Sequence, residues 1–411
     1  MSLTGSQQQT VLRLLAALRP HWRQDVNLPA RIQQLLAGNR SFGSRDRRLY
    51  RELIYTVLRY LPWIESLLDR GQNEQAIQLI AWLATDTPST HAFRTALTEN
   101  WPPCPASVAA RADIAQRQLA AGGTVSEPLP CVLPEWFRDH CPAAFAPDQI
   151  DRLLARAPLW LRLQTDQPAR VVAEFETRGW SYRRSELLHS AIQVLTEADL
   201  TQTEAYRSGQ FEIQDLGSQM ILESVGVEAG GRWLDACAGA GGKTLQLANL
   251  LGTSGHIDAH DIRPGALAEL GLRAKRAGLR SITTLRATPE TLYDGVLVDA
   301  PCSGSGTWRR APHLKWTTLP AQIESAARQQ LELLALFSAR VRAGGRLIYA
   351  TCSLCQRENE DVIAAFLQAH PDFSPVPFHQ TFRSSPAPSS LTFLPAQHDT
   401  DGFFVASLRR T

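Results

Sequence analysis

Lysine is nearly absent from this chain. Only three of its 42 basic residues, Lys243, Lys275 and Lys315, are lysines, and the rest are arginines. Arginine serves planar, bidentate contacts, whereas a lysine ammonium is a compact point charge, so a retained lysine marks a place that needs one. No apolar run is long enough for a membrane-spanning helix, and Met1 to Thr10 lacks the apolar core of a secretory signal. Cysteine is sparse as well. Seven cysteines, an odd number scattered over 411 residues, do not make a disulfide framework and fit a reducing compartment. The expected location is cytoplasmic. There is no internal repeat, and the one low-complexity patch, Ser384 to Ser390, reads as a loop. At 44% hydrophobic and 20% charged residues, the chain should form two or three ordinary domains.

Charge is present but unevenly placed. The net charge is +2, yet residues 1–70 carry eleven arginines against five acids, a surplus of six. Concentrated positive charge is the footprint of a polyanion partner; solvated helix faces would give the same count. Within it, Arg47 and Arg48 are candidate nucleic-acid contacts.

Three regions follow from periodicity. From 1 to 125 the pattern is helical, with apolar residues three or four apart as in Val11-Leu14-Leu15-Leu18 and Leu49-Leu53-Val57-Leu58. Ser44 reads as a helix-capping residue, and Ala120 to Pro130 as a linker. Residues 126–215 mix helix with short strand candidates, Trp160 to Leu163 and Ala191 to Leu195, as a small α+β connecting domain. From 216 to 411 strands and helices alternate, which predicts βαβ units and a parallel sheet.

The last region opens with its most specific local signal. Arg232 to Asp235 reads as a strand, Ala236-Cys237-Ala238-Gly239-Ala240-Gly241 as a glycine-rich turn, and the run from Gly242-Lys243-Thr244 as a helix. That arrangement turns backbone N–H groups and the helix dipole toward a nucleotide-like ligand. A P-loop is excluded, because it needs glycine at position 237, which is Cys. Asp261, after a second strand, is placed to accept from ribose hydroxyls. Both NAD and S-adenosylmethionine (SAM) remain open on these residues.

Two cysteines occupy similar frames: Asp299-Ala300-Pro301-Cys302-Ser303-Gly304 and Ala350-Thr351-Cys352-Ser353. Each follows an apolar run, so each thiol should stand at the carboxyl end of a buried strand, where open α/β sheets bind ligands. Paired thiols beside a cofactor turn suit covalent catalysis. A thiolate that adds to carbon 6 of a pyrimidine makes carbon 5 able to attack an electrophilic methyl group. Asp299 could hold the base, and Lys243 could contact the base or the acid and help keep a thiol ionised. Cys352 and Cys355 also form a C-x-x-C pair, but with no second pair a zinc site is not expected, and no metal is implied elsewhere. Cys237 and Cys355 read as small buried residues. After the Cys302 loop, Arg309, Arg310, His313, Lys315 and Trp316 could hold phosphates and stack a base.

These motifs, with Gln214 to Gln219, Lys315-Trp316, Glu358-Asn359 and Asp401 to Phe404, resemble the RsmB/Sun family of SAM-dependent RNA cytosine-5 methyltransferases over roughly residues 130–411. The first region resembles the all-α, NusB-like RNA-binding domain of the RsmB branch, most closely across Arg47 to Arg59. The resemblance implies a Rossmann-like catalytic domain, SAM as cofactor, small-subunit ribosomal RNA as partner and a monomer. It implies Cys352 as the attacking thiol, Cys302 as the residue that assists product release, and Asp299 and Lys243 as contacts to the cytosine. SAM would be held by Cys237, Ala238, Gly239, Ala240, Gly241, Gly242 and Lys243 with Asp261 and Asp299. Three alternatives stand: a methyltransferase in which Cys302 is the attacking thiol, as the Pro-Cys of DNA cytosine methyltransferases is; a carbon-5 methyltransferase acting on tRNA; and, of a different class, a non-catalytic RNA-binding assembly factor. Two departures favour the last. Gly239-Ala240 replaces the usual Ala-Pro of the turn, which should loosen it, and Arg286-Ala287-Thr288 stands where an acid near the adenine is usual.

Overall fold

The computed structural model describes residues 3–121, 128–382 and 390–411. Most of the expected linker, and the patch before Ser390, lie outside the described residues. The chain divides into two compact units: Met1–Arg156 with Trp308–Leu319, and Ala157–Thr307 with Pro320–Thr411. This differs from the three regions read in sequence. Residues 128–156 belong to the first unit, and the small α+β layer lies in the same unit as the large sheet.

The first unit is helical: α1 (Leu3–Leu18), α2 (Leu28–Gly38), α3 (Ser44–Arg59), α4 (Leu61–Asp69), α5 (Asn73–Leu83), α6 (His91–Leu97) and α7 (Val108–Ala121), with shorter turns after them. α5 buries Ala76, Ile77, Leu79, Ile80, Ala81, Trp82 and Leu83, and a helix apolar on all sides belongs in the centre of a bundle. α3 instead is two-faced. It buries Leu49, Leu53 and Val57 while Arg45, Arg48 and Arg51 are exposed. Its cap is Gly43 rather than Ser44, with the Asp46 carboxylate accepting from the Gly43 N–H at 2.9 Å. The segment Trp308–Leu319 packs into this unit, and Trp316 is part of its core.

The second unit holds two sheets. The small one has the order β2-β3-β1-β4 and is antiparallel at each pairing: β1 (Leu159–Leu163), β2 (Tyr182–Arg184), β3 (Ala191–Val194) and β4 (Phe211–Ile213). The large one comprises β5 (Gly231–Asp235), β6 (Gly255–His260), β7 (Ile282–Leu285), β8 (Tyr293–Asp299), β9 (Val341–Thr351), β10 (Phe373–Pro375), β11 (Ser390–Phe393) and β12 (Phe403–Arg410). Its order is β10-β12-β9-β8-β5-β6-β7, with β11 pairing β12.

β5 to β9 pair in parallel, as expected from the alternating pattern. The sheet as a whole is mixed, because β12 runs antiparallel to β9, β10 and β11. An antiparallel neighbour can be reached through a short connection, as β12 is from β11, so no crossover helix announces that pairing in the sequence. β5 neighbours both β6 and β8, and the chain leaves it in opposite directions. That point is where ligands bind in open sheets, outside the strands' carboxyl ends. Gly295 of β8 makes the close pairing possible, since a Cβ there would lie 2.4 Å from the Trp233 ring.

Candidate active site

Three strand ends converge at the switch point. β5 ends on Asp235, which is buried and accepts from Thr244 Oγ1 at 2.7 Å. Burial pushes its carboxyl up to about 7, against the Thr244 hydrogen bond. The turn follows, and the helix Gly242–Leu251 begins from it. Gly239 and Gly241 have φ of 53° and 88°, which glycine adopts at little cost. At Gly241 space matters too, since a Cβ would sit 2.7 Å from Leu270 Cγ.

The main chain of the turn is held by hydrogen bonds from three directions. Gly239 N–H donates to Asp261 Oδ2 at 2.8 Å, Ala238 N–H to the His260 carbonyl at 2.9 Å, and Arg273 Nη1 to the Ala240 carbonyl at 2.7 Å. Arg273 is itself fixed by the buried Glu212 of β4, which also takes Arg276. The small sheet thus steadies the cofactor turn.

Asp261 is more fully engaged than its sequence position foretells. Oδ1 accepts from the backbone N–H and Nε of Arg263, and Oδ2 from Gly239 and Arg263 Nη2, all at 2.8–2.9 Å. A carboxylate offers about four acceptor positions, and all are taken. A ribose hydroxyl must therefore displace Arg263, whose side chain is 67% exposed. The Arg263 hydrogen bonds hold the Asp261 carboxyl down at about 2.

The chemistry-bearing side chains meet one strand over. Lys243 Nζ donates to Asp299 Oδ2 at 2.9 Å and lies 5.5 Å from the centre of the Phe403 ring. Burial disfavours the ammonium, but the Asp299 charge and hydrogen bond outweigh it and raise its pKa; Cys352 adds to the same effect. The Sγ atoms of Cys302 and Cys352 are 3.4 Å apart, and both residues are half-buried. Contact with Cys352, then burial, then the charges of Cys352 and Glu358 push the Cys302 thiol well above its usual range. The Cys302 loop is held by Gly306, whose N–H donates to the Cys352 carbonyl at 2.9 Å and whose carbonyl accepts from Gly402 at 2.8 Å. A Cβ on Gly306 would lie 2.1 Å from the Gly402 carbonyl oxygen, so only glycine allows that approach.

Cys237 stands in the turn with its thiol raised by burial and by Asp235, Asp299 and Asp261. Cys355 is fully buried, and burial followed by Glu358 pushes it up to about 12. The structure therefore brings together Lys243, Asp299, Cys302, Cys352 and the turn. Phe403 entered the sequence reading only within the motif Asp401 to Phe404, and Arg263 not at all, since nothing local marks an aromatic ring or an arginine as a partner of a distant residue.

Two expected RNA contacts are overturned. Arg309 and Lys315 are each 1% exposed within the helical unit. Lys315 Nζ donates to the carbonyls of Arg59 and Val132 at 2.8 and 3.2 Å, and burial drives its pKa well below the usual lysine range. Arg309 Nη2 donates to the Arg156 carbonyl at 3.1 Å. Trp316 and His313 are buried as well, with Trp316 Nε1 donating to the Leu58 carbonyl. A lysine and a tryptophan after a glycine-rich loop look like a nucleic-acid patch, yet here they lock helices. Arg310 and Arg48 are exposed and Arg47 is half-buried.

The mixed α/β sheet with a glycine turn at its switch point is similar in fold to known methyltransferases. Residues 220–409 match the model of the 16S rRNA methyltransferase RsmB/F family. A probable ribosomal RNA small subunit methyltransferase B of Synechocystis is 36% identical over 223 residues, 51% of this chain and 50% of that protein. The chain thus spans about half the length of that relative. The methyltransferase B of Xanthomonas campestris is 28% identical, over 96% of this chain and 95% of that one. Over residues 220–409 the chain is therefore similar to the RsmB/F family. Its fold is similar to the crystal structure of NSun6 from Pyrococcus horikoshii with SFG, at TM-score 0.60 and 20% identity, covering 67% of this chain and 98% of that one.

Proposed function

We propose that the chain is a SAM-dependent RNA methyltransferase that acts on carbon 5 of a cytosine in small-subunit ribosomal RNA. The 3.4 Å approach of Cys302 and Cys352 beside the Lys243–Asp299 pair carries this reading. The turn fits SAM: the first amides of the helix Gly242–Leu251 have no acceptor within the helix, and a Cβ on Gly242 would meet open space, so a ligand can approach the backbone there. Cys237 to Lys243 and Asp261 would hold it, and bound SAM supplies the electrophilic methyl.

The thiolate of Cys352 adds to carbon 6, and carbon 5 becomes nucleophilic. Once carbon 5 has taken the methyl group, with the sulfonium sulfur leaving as a neutral thioether, loss of the carbon-5 proton to water and departure of the Cys352 thiolate would restore the ring. Asp299 faces the base, with Lys243 fixing its carboxylate. Cys302, kept as a thiol by its surroundings, assists the release step. The choice of Cys352 over Cys302 as the attacking group rests on the resemblance to the RsmB/Sun family. The target base must be unstacked to reach these side chains. The all-α unit is proposed as a NusB-like RNA-binding domain, supported by its exposed arginines Arg13, Arg40, Arg45, Arg48 and Arg51.

Single alanine variants test the roles, with labelled SAM, unmethylated small-subunit rRNA transcript and a denaturing gel. Cys352→Ala should abolish methyl transfer, and Cys302→Ala should leave protein covalently attached to RNA. The reverse pattern would overturn the assignment. Bisulfite mapping of the product identifies the position.

A further inference from the structure

Glu358 is wholly buried in the short turn Gln356–Glu358 that follows Cys352. Its carboxylate gathers donors from three elements. Ser303, next to Cys302, gives its N–H at 2.7 Å and its hydroxyl at 2.5 Å. Ser353, next to Cys352, gives its hydroxyl at 2.5 Å. Gln330, from the helix Pro320–Ser338, gives Nε2 at 3.2 Å and also donates to the Pro301 carbonyl at 2.9 Å. The Glu358 carbonyl accepts from the Tyr349 hydroxyl of β9 at 2.6 Å. Asn359 continues the clasp, accepting from Thr351 Oγ1 at 2.6 Å and donating to the Ser353 carbonyl at 2.9 Å.

A single buried carboxylate therefore joins the residues that follow both thiols. Burying a carboxylate is costly, and an apolar side chain would fill such a space without that cost. Its retention calls for a task that needs directed hydrogen bonds. We propose that Glu358 is a positioning residue of the two-thiol reaction, clasping the Cys302 and Cys352 loops so that their sulfur atoms are held side by side. The inference rests on the reading of Cys302 and Cys352 as the reacting thiols. Electrostatics reinforces it. The groups that act on the Cys302 thiol are Cys352, Glu358 and the Gly304 N–H, which favours the thiolate, with Tyr349 interacting with the same thiol. Of these, Glu358 and Cys352 favour the protonated form.

The test uses the full-length protein with two readouts. In methyl transfer to unmethylated small-subunit rRNA transcript, Glu358→Gln lowers kcat roughly 10- to 100-fold, the usual cost of misplaced reacting groups, and leaves KM for SAM within about twofold. In alkylation by iodoacetamide without RNA or SAM, mapped by mass spectrometry across pH, the Cys302 midpoint moves to lower pH. A merely structural role would leave that midpoint in place. An unmoved midpoint, or turnover within about twofold of native, overturns the proposal. If Glu358→Gln does not fold, Ser303→Ala with Ser353→Ala removes two donors and keeps the carboxylate. The same fall in kcat then supports the clasp, and native turnover overturns it. Full turnover in Cys352→Ala would sink the two-thiol reading, whereas an inactive Cys352→Ala with an unmoved Cys302 midpoint sinks only the role of Glu358.

Discussion

The Sγ atoms of Cys302 and Cys352 stand 3.4 Å apart although fifty residues separate them in the chain. Their loops are joined at Gly306 and by the serines that follow each cysteine. The pair is one unit, in which the protonation of one thiol depends on the other.

That proximity makes the site sensitive to oxidation. Disulfide geometry requires the sulfurs to close to about 2.05 Å with the Cβ atoms roughly 3.5–4.5 Å apart, a small movement from where they stand. Treatment with diamide, which takes two electrons and two protons from the thiols, should cross-link Cys302 to Cys352 and abolish methyl transfer. Dithiothreitol should restore it. Peptide mapping checks the pair, and a cross-link to Cys355 or Cys237 instead would contradict the geometry.

Lys315 gives a pH signature of structure rather than RNA contact. Its folded-state pKa is depressed by burial, so the unfolded chain binds more protons and stability rises with pH between the folded value and the unfolded one of about 10.4. The Tm of the native protein relative to Lys315→Met should therefore increase as pH rises through that window. A difference that is flat or falling with pH would refute it.

Arg13 and Arg40 line a cavity of about 620 Å³ with Leu14, Ala17, Gln34, Leu35, Gly38 and Asn39. Arg19, Arg23, Arg31 and Arg59, by contrast, are paired with Asp69, Glu65, Asp25 and Glu52. If the helical unit binds RNA phosphates, the open pair is where it does so. Changing Arg13 and Arg40 to alanine should weaken binding of unmethylated transcript alike for every sequence. The slope of log affinity against log salt should fall by about 1.4, or roughly 0.7 per lost single-strand contact. Filter binding across a salt series measures this, and an unchanged slope would place the contacts elsewhere.

Much of the site was legible because its parts are local. The strand Gly231–Asp235, the turn and the helix Gly242–Leu251 lie within about twenty residues, and their glycines are required by φ and by Leu270. The strands before Cys302 and Cys352 announce themselves as apolar runs bounded by polar loops. Glu358 was visible only as part of a motif without a task, because nothing near it in sequence names Ser303 or Gln330 as partners.

The amino-acid order by itself determined the glycine turn, the two strand-end thiols and the helical character of the first region, since each depends on neighbours in the chain. Tertiary structure decided the rest. It closed the two thiols to contact, spent the acceptors of Asp261 on Arg263, and turned β12 antiparallel against β9. It also buried Arg309 and Lys315, which the sequence offered to RNA. Burial and pairing are set by residues far along the chain, and the same arginine or lysine binds phosphate or caps a carbonyl according to what packs over it.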